Sequence, residues 1–545
     1  MNQAYINSLK NKNNDARIEF ELKNENTFIL HPKRMDRKLL KTISSVCRVD
    51  SKYEISISKV SELETLNVEL CMPPKPVMKE LECCKKFEFN EEFKQTDLYK
   101  TMFDYQKEGV KTVITRFNGK ALIADEMGLG KSLQALSLFM YYKPKTLLII
   151  CPAYLRYTWR REINKWCCME STVINTGKDD IDGNVVIISY ELATKKVSEL
   201  KDYEMVVCDE SHYLKGHKTK RTKTLTPYLK KTKYCILLTG TPALNRPYEL
   251  YAQAHILRPD IYRTFKSYTE RYCNGHVCHL GFYDFSGSSN ANELNWISHK
   301  SIMIRRLKRD VLTELPSKNR SEIYIDVKKK ELKPLQPLFK KWNTLNERIS
   351  AAVPGSDEIA KLSFERKVLI MEMYRTSSQS KVNSVKKVIK DMVAQGLKFI
   401  VFCYHKKFMD EIEKVCTSYI RIDGSTPHEK RQEYVDQFQN GEKDVAVLSL
   451  LAASTGLTLT ACSIVVFAEL YFVPGTMLQA EDRIHRIGQK NACDIRYIIA
   501  EKTLDDYIFR MIVRKLDTLD TFLDGRDDRK FLGKRRKWDG LDEMD

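Results

Sequence analysis

The sequence predicts an α/β protein: two parallel-sheet lobes separated by a helical insertion and preceded by a small α+β domain. Three observations carry this expectation. From about residue 100, unbroken apolar runs recur, each followed by a turn or a helix pattern: KALIA, TLLIICP, NVVIISY, EMVVCDES and YCILLTGTP. A second series begins near residue 398 with KFIVFCYH, DVAVLSLL, SIVVFAEL and DIRYIIAE. Before both, residues 16–80 carry short alternating runs such as ARIEFEL and YEISISKV among basic stretches. Strands buried on both faces read as continuous apolar runs, and their alternation with helices builds a parallel sheet from βαβ units. Strict alternation marks half-buried strands.

The 545 residues allow about three to four domains at roughly 150 residues each. The expected division is a disordered tail at 1–15 and an accessory domain at 16–95, closed by the proline-rich connector CMPPKPVMK (71–79). The first lobe follows at 96–300, a Lys-rich helical insert and linker at 301–395, and the second lobe at 396–522. A charged tail occupies 523–545. No charge-free apolar run approaches the ~18 residues of a membrane span, and MNQAYINSLKNKNND lacks the apolar core of a secretory signal. The net charge of +19 favours a polyanionic partner, because each neutralised phosphate releases counterions. Fifteen cysteines are sparse for this length, and several fall in apolar runs, so they read as small buried hydrophobes in a reducing compartment. In CNGHVCH (273–279), Cys273, His276, Cys278 and His279 match no usual zinc spacing, so no metal is expected there.

Chemistry concentrates at strand ends. LIADEMGLGKSLQALSLF (122–139) reads as a strand, a glycine-bearing loop and a helix opened by Lys-Ser. Gly128 and Gly130 let main-chain N–H groups turn toward phosphates, Lys131 reaches the outer phosphates, and Ser132 ligates Mg²⁺. Asp125 stands where the usual first glycine would be. At the end of MVVCDESH (205–212), Asp209 is placed to hold Mg²⁺ through water and Glu210 to orient and deprotonate a water. LLTGTP (237–242) brings Thr239 and Thr241, hydroxyls that link a phosphate site to motion. In QAEDRIHRIGQK (479–490), Arg483 and Arg486 stand three apart, a spacing that puts both on one face of a helix. Delivered across an interlobe cleft they would act as arginine fingers on a γ-phosphate. Hydrolysis would then depend on closure of the lobes, as in a motor.

Taken in order, these segments resemble a superfamily 2 helicase-like ATPase of the Swi/Snf type. FDYQKEGV (103–110) is similar to the adenine-reading segment, with Gln106 as its glutamine. DEMGLGKS, DESH and LLTGTP are similar to motifs I, II and III, LSLLAASTGLTLTAC (448–462) to motif V, and QAEDRIHRIGQ to motif VI, with Gln479 at its start. The resemblance covers about 100–520 and implies RecA-like lobes, ATP and Mg²⁺ as cofactors, and translocation on double-stranded DNA. MIRRLKRDVLTELP (303–316), IRIDGST (420–426) and VVFAELYFVPGTMLQAEDRIHRIGQ (465–489) most resemble the annealing-helicase, HepA-related branch. That branch rewinds single-strand bubbles and remodels stalled or branched replication forks in the nucleus, with residues 16–80 as counterpart of its fork-recognising domain. A nucleosome remodeller is the alternative within the class, disfavoured because no histone-reading module fits before the motor; a non-motor DNA scaffold is the alternative outside it.

The start of the chain does not resemble the helix that recruits single-strand-binding protein, and nuclease or zinc-finger regions of one sister group are not seen. A monomer is expected. By the same resemblance, DNA contacts fall to Arg156 in CPAYLRYTWRREINKW (151–166), to Thr241, and to Ser454 and Thr455 of motif V. Trp159 and Arg160 fit either that strand contact or an ordinary amphipathic helix. The run GKRRKW (533–538) reads as an import signal, an extra DNA contact or a solvated tail.

Overall fold

A computed structural model describes residues 17–525 except 34, 36–39, 41–42, 44–47, 50–52, 65–67, 84–85, 279, 313 and 452–458. The chain builds one mixed sheet and two larger parallel ones. The first contains β1 (Arg17–Asn24), β2 (Thr27–Lys33), β3 (Arg48–Val49), β4 (Tyr53–Ser56) and β5 (Glu69–Cys71), in the order β3-β4-β2-β1-β5. Its strands pair antiparallel except for β1 with β5. Alternation along β1 sends Ile18, Phe20 and Leu22 inward, where Phe20 meets Phe28 edge-on at 5.5 Å. Helix α1 (Lys75–Glu82) closes this unit.

The first lobe contains β6 (Lys120–Ile123), β7 (Leu147–Cys151), β8 (Thr172–Val173), β9 (Val185–Ser189), β10 (Met205–Asp209) and β11 (Tyr234–Leu238), and recruits β14 (Met303–Ile304). The order is β14-β6-β11-β10-β7-β9-β8, all parallel. A short hairpin of β12 (His276–Val277) and β13 (Tyr283–Asp284) stands apart from the sheet. The second lobe contains β15 (Lys318–Ile325), β16 (Phe399–Cys403), β17 (Tyr419–Ile422), β18 (Val445–Ser449), β19 (Ile464–Phe467) and β20 (Cys493–Ala500). Its order is β15-β20-β19-β16-β18-β17, again all parallel. The fully buried strands β7, β9, β16 and β18 are the apolar runs of the sequence. Both large sheets are parallel α/β, the fold class that the sequence predicts.

The edges of the expected segments move. Residues 303–304 complete the first sheet and 318–325 the second, so the insert expected at 301–395 gives up its first part to the lobes. β14 is too short to show a period, and β15 reads as polar because most of it is exposed or half-buried at a sheet edge. What remains helical culminates in the helix Asp357–Ala394, whose Val385, Ile389 and Met392 pack into the second lobe. Upstream, Phe93 is buried with Val110 and Phe139 of the first lobe, so residues 86–95 belong there rather than to the accessory unit. The last helix, Leu504–Asp524, with its left-handed cap Gly525, runs past residue 523, the expected start of the tail. Residues 1–16 and 526–545 lie outside the described residues.

The accessory sheet is locked to the first lobe by buried carboxylates. Glu293, on the helix Ala291–Ser301, is fully buried and accepts from Arg271 Nε (3.0 Å), Tyr272 O–H (3.0 Å) and the Leu22 amide of β1 (3.3 Å). Glu21 of β1 reaches back to the Asn292 amide (2.8 Å) and to His31 Nε2 (2.8 Å). Removing one member of a buried ion pair strands the other charge and costs about 3–5 kcal/mol. Glu293→Ala is therefore expected to destabilise the chain by about 3 kcal/mol and to open β1 and β2 to protease. A change below about 0.5 kcal/mol, the range of an ordinary surface substitution, contradicts this docking.

Candidate nucleotide site between the lobes

The loop between β6 and helix α2 (Lys131–Tyr142) is shaped by its glycines. Gly128 has φ +86° and Gly130 φ +73°, conformations that L-residues rarely adopt. A Cβ at Gly130 would lie 2.3 Å from Gln106 Nε2, so the glutamine is pressed against the turn. Gln106 donates to Leu129 O (3.1 Å) and accepts from the Phe103 amide (3.0 Å), which fixes its amide plane against the loop. Lys131 curls back, Nζ donating to Asp125 O (2.9 Å) and Glu126 O (3.2 Å). Burial lowers its pKa, while the charges of Glu210, Asp125 and Asp209 oppose that shift. An ammonium held inside a glycine turn, at a helix N-terminus and over two carboxylates, fits the phosphates and metal of a nucleotide. Ser132 sits in the first turn of α2, placed to take a metal there.

Asp209 ends β10 with its carboxylate committed on both oxygens: Trp159 Nε1 donates to Oδ2 (2.9 Å) and the Glu210 amide to Oδ1 (2.8 Å). Burial, then the adjacent Glu210 charge, push its pKa up to about 6. Glu210 itself has φ +49°, a strained position for a residue with a side chain. Burial raises its pKa, but the hydrogen bond and charge of His212, with Lys131 and Arg483, outweigh that and leave it below the usual carboxylate value. From Glu210 a polar chain crosses to the other lobe. His212 Nδ1 lies 3.2 Å from Glu210 Oε2 and 3.2 Å from Thr239 Oγ1. Thr239 Oγ1 accepts from the Thr241 amide (3.1 Å), and Gln479 Nε2 of the second lobe donates to Thr241 Oγ1 (3.0 Å).

The arginine pair is not on a helix. Helix α3 (Pro474–Glu481) ends before it, and Arg483 and Arg486 occupy the turns that follow. The reason lies in the carbonyls: Gln489 Nε2 takes Ile484 O (3.2 Å) and Lys308 Nζ takes His485 O (2.6 Å), so side chains replace the helical ladder. Arg483 is 1% exposed, beside Tyr154 and Glu210. Burial and the Arg486 charge pull its pKa down to about 10. Arg486 reaches the loop itself, since a Cβ added to Gly128 would lie 3.5 Å from Arg486 Cγ. Residues of both lobes thus meet over one glycine turn.

Several expected residues are engaged otherwise. Asp125 is fully buried, and its carboxylate accepts from Arg306 Nε (2.9 Å) and Gln134 Nε2 (2.8 Å) instead of facing a ligand. Gln479, expected at the nucleotide, donates across the cleft to Thr241. Arg156, expected on DNA, directs its guanidinium to Ala153 O (3.0 Å) and Ile174 O (2.5 Å). Ser454 and Thr455 lie outside the described residues. Among the described residues no group of three or more His, Cys, Asp or Glu is set to hold a metal; His279 of the CNGHVCH segment lies outside them. Sequence reasoning missed His212, Arg306 and Lys308, and read Trp159 as core or DNA contact. The run RRLKRD, six positions with four cations directly after the buried strand β14, is the signal that could have pointed to Arg306 and Lys308.

Two outcomes follow from this geometry. Trp159→Phe keeps an aromatic, though smaller, side chain and removes one hydrogen bond to an ionised carboxylate, a loss of about 1.5–3 kcal/mol. Mg²⁺-dependent nucleotide turnover should fall about tenfold or more, and turnover at the wild-type level would contradict the role given to the indole. Behind the arginine turn, Glu481 is buried between Arg320 (2.7 Å) and Lys318 (3.0 Å). Burial raises its pKa, but Arg320 and Lys318 outweigh it and hold the carboxyl at about 2, below its ordinary 4.5. A depressed carboxyl contributes stability that is complete above its unfolded value and is lost as pH falls through the folded one. The urea midpoint is therefore expected to drop between pH 4.5 and about 2, and Glu481→Gln to flatten that slope; an equal slope in the variant contradicts it.

Residues 105–392 match the SNF2-related domain, and residues 380–488 the Helicase conserved C-terminal domain. The chain is similar to the "DNA annealing helicase and endonuclease ZRANB3" of Bos taurus, 39% identical over 83% of this chain and 44% of the relative. It is also similar to the "SWI/SNF-related matrix-associated actin-dependent regulator of chromatin subfamily A-like protein 1" of Xenopus laevis, 39% identical over 77% of this chain and 44% of that one. It spans less than half the length of both relatives. Among solved structures, the "Sulfolobus solfataricus SWI2/SNF2 ATPase core in complex with dsDNA" aligns with 78% of this chain and 94% of its own, at 20% identity and a TM-score of 0.36, a superposition too loose to build on. The SNF2-related match alone takes in more than half of the residues, and the chain belongs to that family.

Proposed function

We propose that the chain is an ATP-driven translocase on double-stranded DNA, of the annealing-helicase kind, which rewinds single-strand bubbles and remodels stalled or branched forks. The observation that carries the reading is the seating of Arg486 of one lobe against Gly128 of the other, with Arg483 beside Glu210. The likeness to a DNA annealing helicase and the +19 charge support the same partner.

Bound Mg²⁺–ATP supplies the phosphoryl bond whose hydrolysis drives the cycle. Amides of the Gly128–Lys131 turn cradle the phosphates, and Lys131 leaves the carbonyls of Asp125 and Glu126 for them. Ser132 and Asp209 would hold the metal, with Trp159 orienting the Asp209 carboxylate. Glu210 Oε2, beside His212, takes the proton of the attacking water. Arg483 and Arg486 offset charge on the transferred group. Closure is a condition of the chemistry, because these two come from the second lobe. The path Glu210–His212–Thr239–Thr241–Gln479 lets each lobe respond to the other.

The test is steady-state ATP hydrolysis with no nucleic acid, single strand, blunt duplex, forked duplex, nucleosome and RNA in parallel. Forked DNA is expected to stimulate most. Preference for nucleosomes would turn the reading to a remodeller, and hydrolysis indifferent to all of them would end the translocase reading. Lys131→Ala should lower stimulated turnover at least ~100-fold, the scale on which losing one positioned charge-stabilising group is felt; full turnover would place the phosphate grip elsewhere.

A further inference from the structure

Between β14 of the first lobe and β15 of the second, the chain carries Arg305, Arg306 and Lys308, three cations within four positions. Each is half-buried or buried against a different wall of the cleft. Arg305 pairs with Asp524 at the end of the helix Leu504–Asp524 and donates to Ala124 O (3.0 Å) and Gly240 O (3.2 Å). Arg306 grips Asp125 of the phosphate loop, and its carbonyl accepts from the Glu126 amide (3.0 Å). Lys308 does two things at once. Its amide donates to Glu126 Oε2 (2.7 Å), tying its main chain to the phosphate loop. Its ammonium, on a side chain 2% exposed, donates to His485 O (2.6 Å) and pairs with Asp482 (3.0 Å) in the other lobe. The stem between runs past the loop glycine, with Cε 3.9 Å from where a Gly128 Cβ would stand.

His485 lies between the two arginines, beyond the last helical residue, in a segment where the helical ladder no longer holds the carbonyls. A buried carbonyl there needs a donor, and a buried Asp482 needs a cation. One lysine, fixed to the first lobe by its own main chain, satisfies the carbonyl and shares Asp482 with Lys318 (3.3 Å) of the second lobe. We propose that Lys308 is a positioning residue for hydrolysis: a strut from the phosphate loop that seats the Arg483–Arg486 turn, with Arg306 anchoring its loop end through Asp125. Lys308 touches no reacting atom in this scheme. It sets where the arginines stand, and a misplacement of ~1 Å at such a distance from the chemistry costs about 100-fold in rate.

The kinetic part rests on the ATPase reading, so the test has a second readout that does not. Lys308→Met keeps the stem and removes the ammonium; Lys308→Met/Asp482→Asn also removes one carboxylate, a charge-neutral pair of changes that leaves the net charge of the buried Lys308, Lys318, Arg320, Glu481 and Asp482 cluster as it was. Both variants are expected to bind ATP within about threefold of the parent and to lose DNA-stimulated kcat by about 100-fold, the split that marks a group acting on the transition state. In hydrogen exchange, amides of 482–489 should exchange faster while those of β16 and β18 stay protected. Turnover within about threefold of the parent overturns the proposal, as does loss of ATP affinity, kcat and Tm together in the neutral double variant, or unchanged exchange over 482–489. Should the parent chain hydrolyse no ATP with any nucleic acid, the functional reading fails, and the exchange pattern alone decides the strut.

Discussion

The approach of Arg486 to the Gly128 turn is the constraint on which the rest of this structure depends. Any side chain at 128 would need a left-handed backbone, and its Cβ would meet the arginine of the other lobe. Around that point the two lobes are tied by directional bonds, Gln479 to Thr241, Lys308 to His485 and Asp482, and Arg305 to Asp524, beside apolar packing of Leu294 and Ile297 with Leu516, Leu519 and Phe522. Directional bonds have defined made and broken states. An interface built from them can switch between closed and open arrangements, as a cyclic motor requires.

Electrostatics make the closed arrangement receptive to a polyphosphate. Burial and Arg486 together lower the Arg483 pKa to about 10, and burial lowers that of Lys131, so the cavity disfavours its own cations. An anion in the turn would relieve that penalty. On the acidic side, burial raises Asp209 to about 6 while Glu210 is held low by His212. Adjacent carboxylates are thus given different environments.

Much of this was legible in the chain because its signals are local. Buried parallel strands show themselves as apolar runs, and Lys131, Asp209, Glu210, Thr239 and Thr241 follow directly on such runs, at the strand ends where open parallel sheets place their ligands. What was not legible depends on long-range partners. Arg483 and Arg486 have helical spacing yet sit in turns, because Gln489 and Lys308 take the carbonyls a helix would use. Asp125 sits in the phosphate loop but faces Arg306, 181 residues away. Trp159 reads as a core tryptophan and is one, but its indole N–H also orients Asp209. β14 is two residues long and carries no periodicity at all.

The central claim is that the second lobe completes the first lobe's nucleotide site. Single-turnover ATP hydrolysis by Arg486→Ala, with binding measured separately on the same protein, addresses it most directly. The account predicts nucleotide affinity close to the parent's and a chemical step slowed by about 10³-fold or more, the range attributed to an arginine finger. A variant that binds and hydrolyses ATP at the parent's rate would contradict it, since the site would then be complete within one lobe.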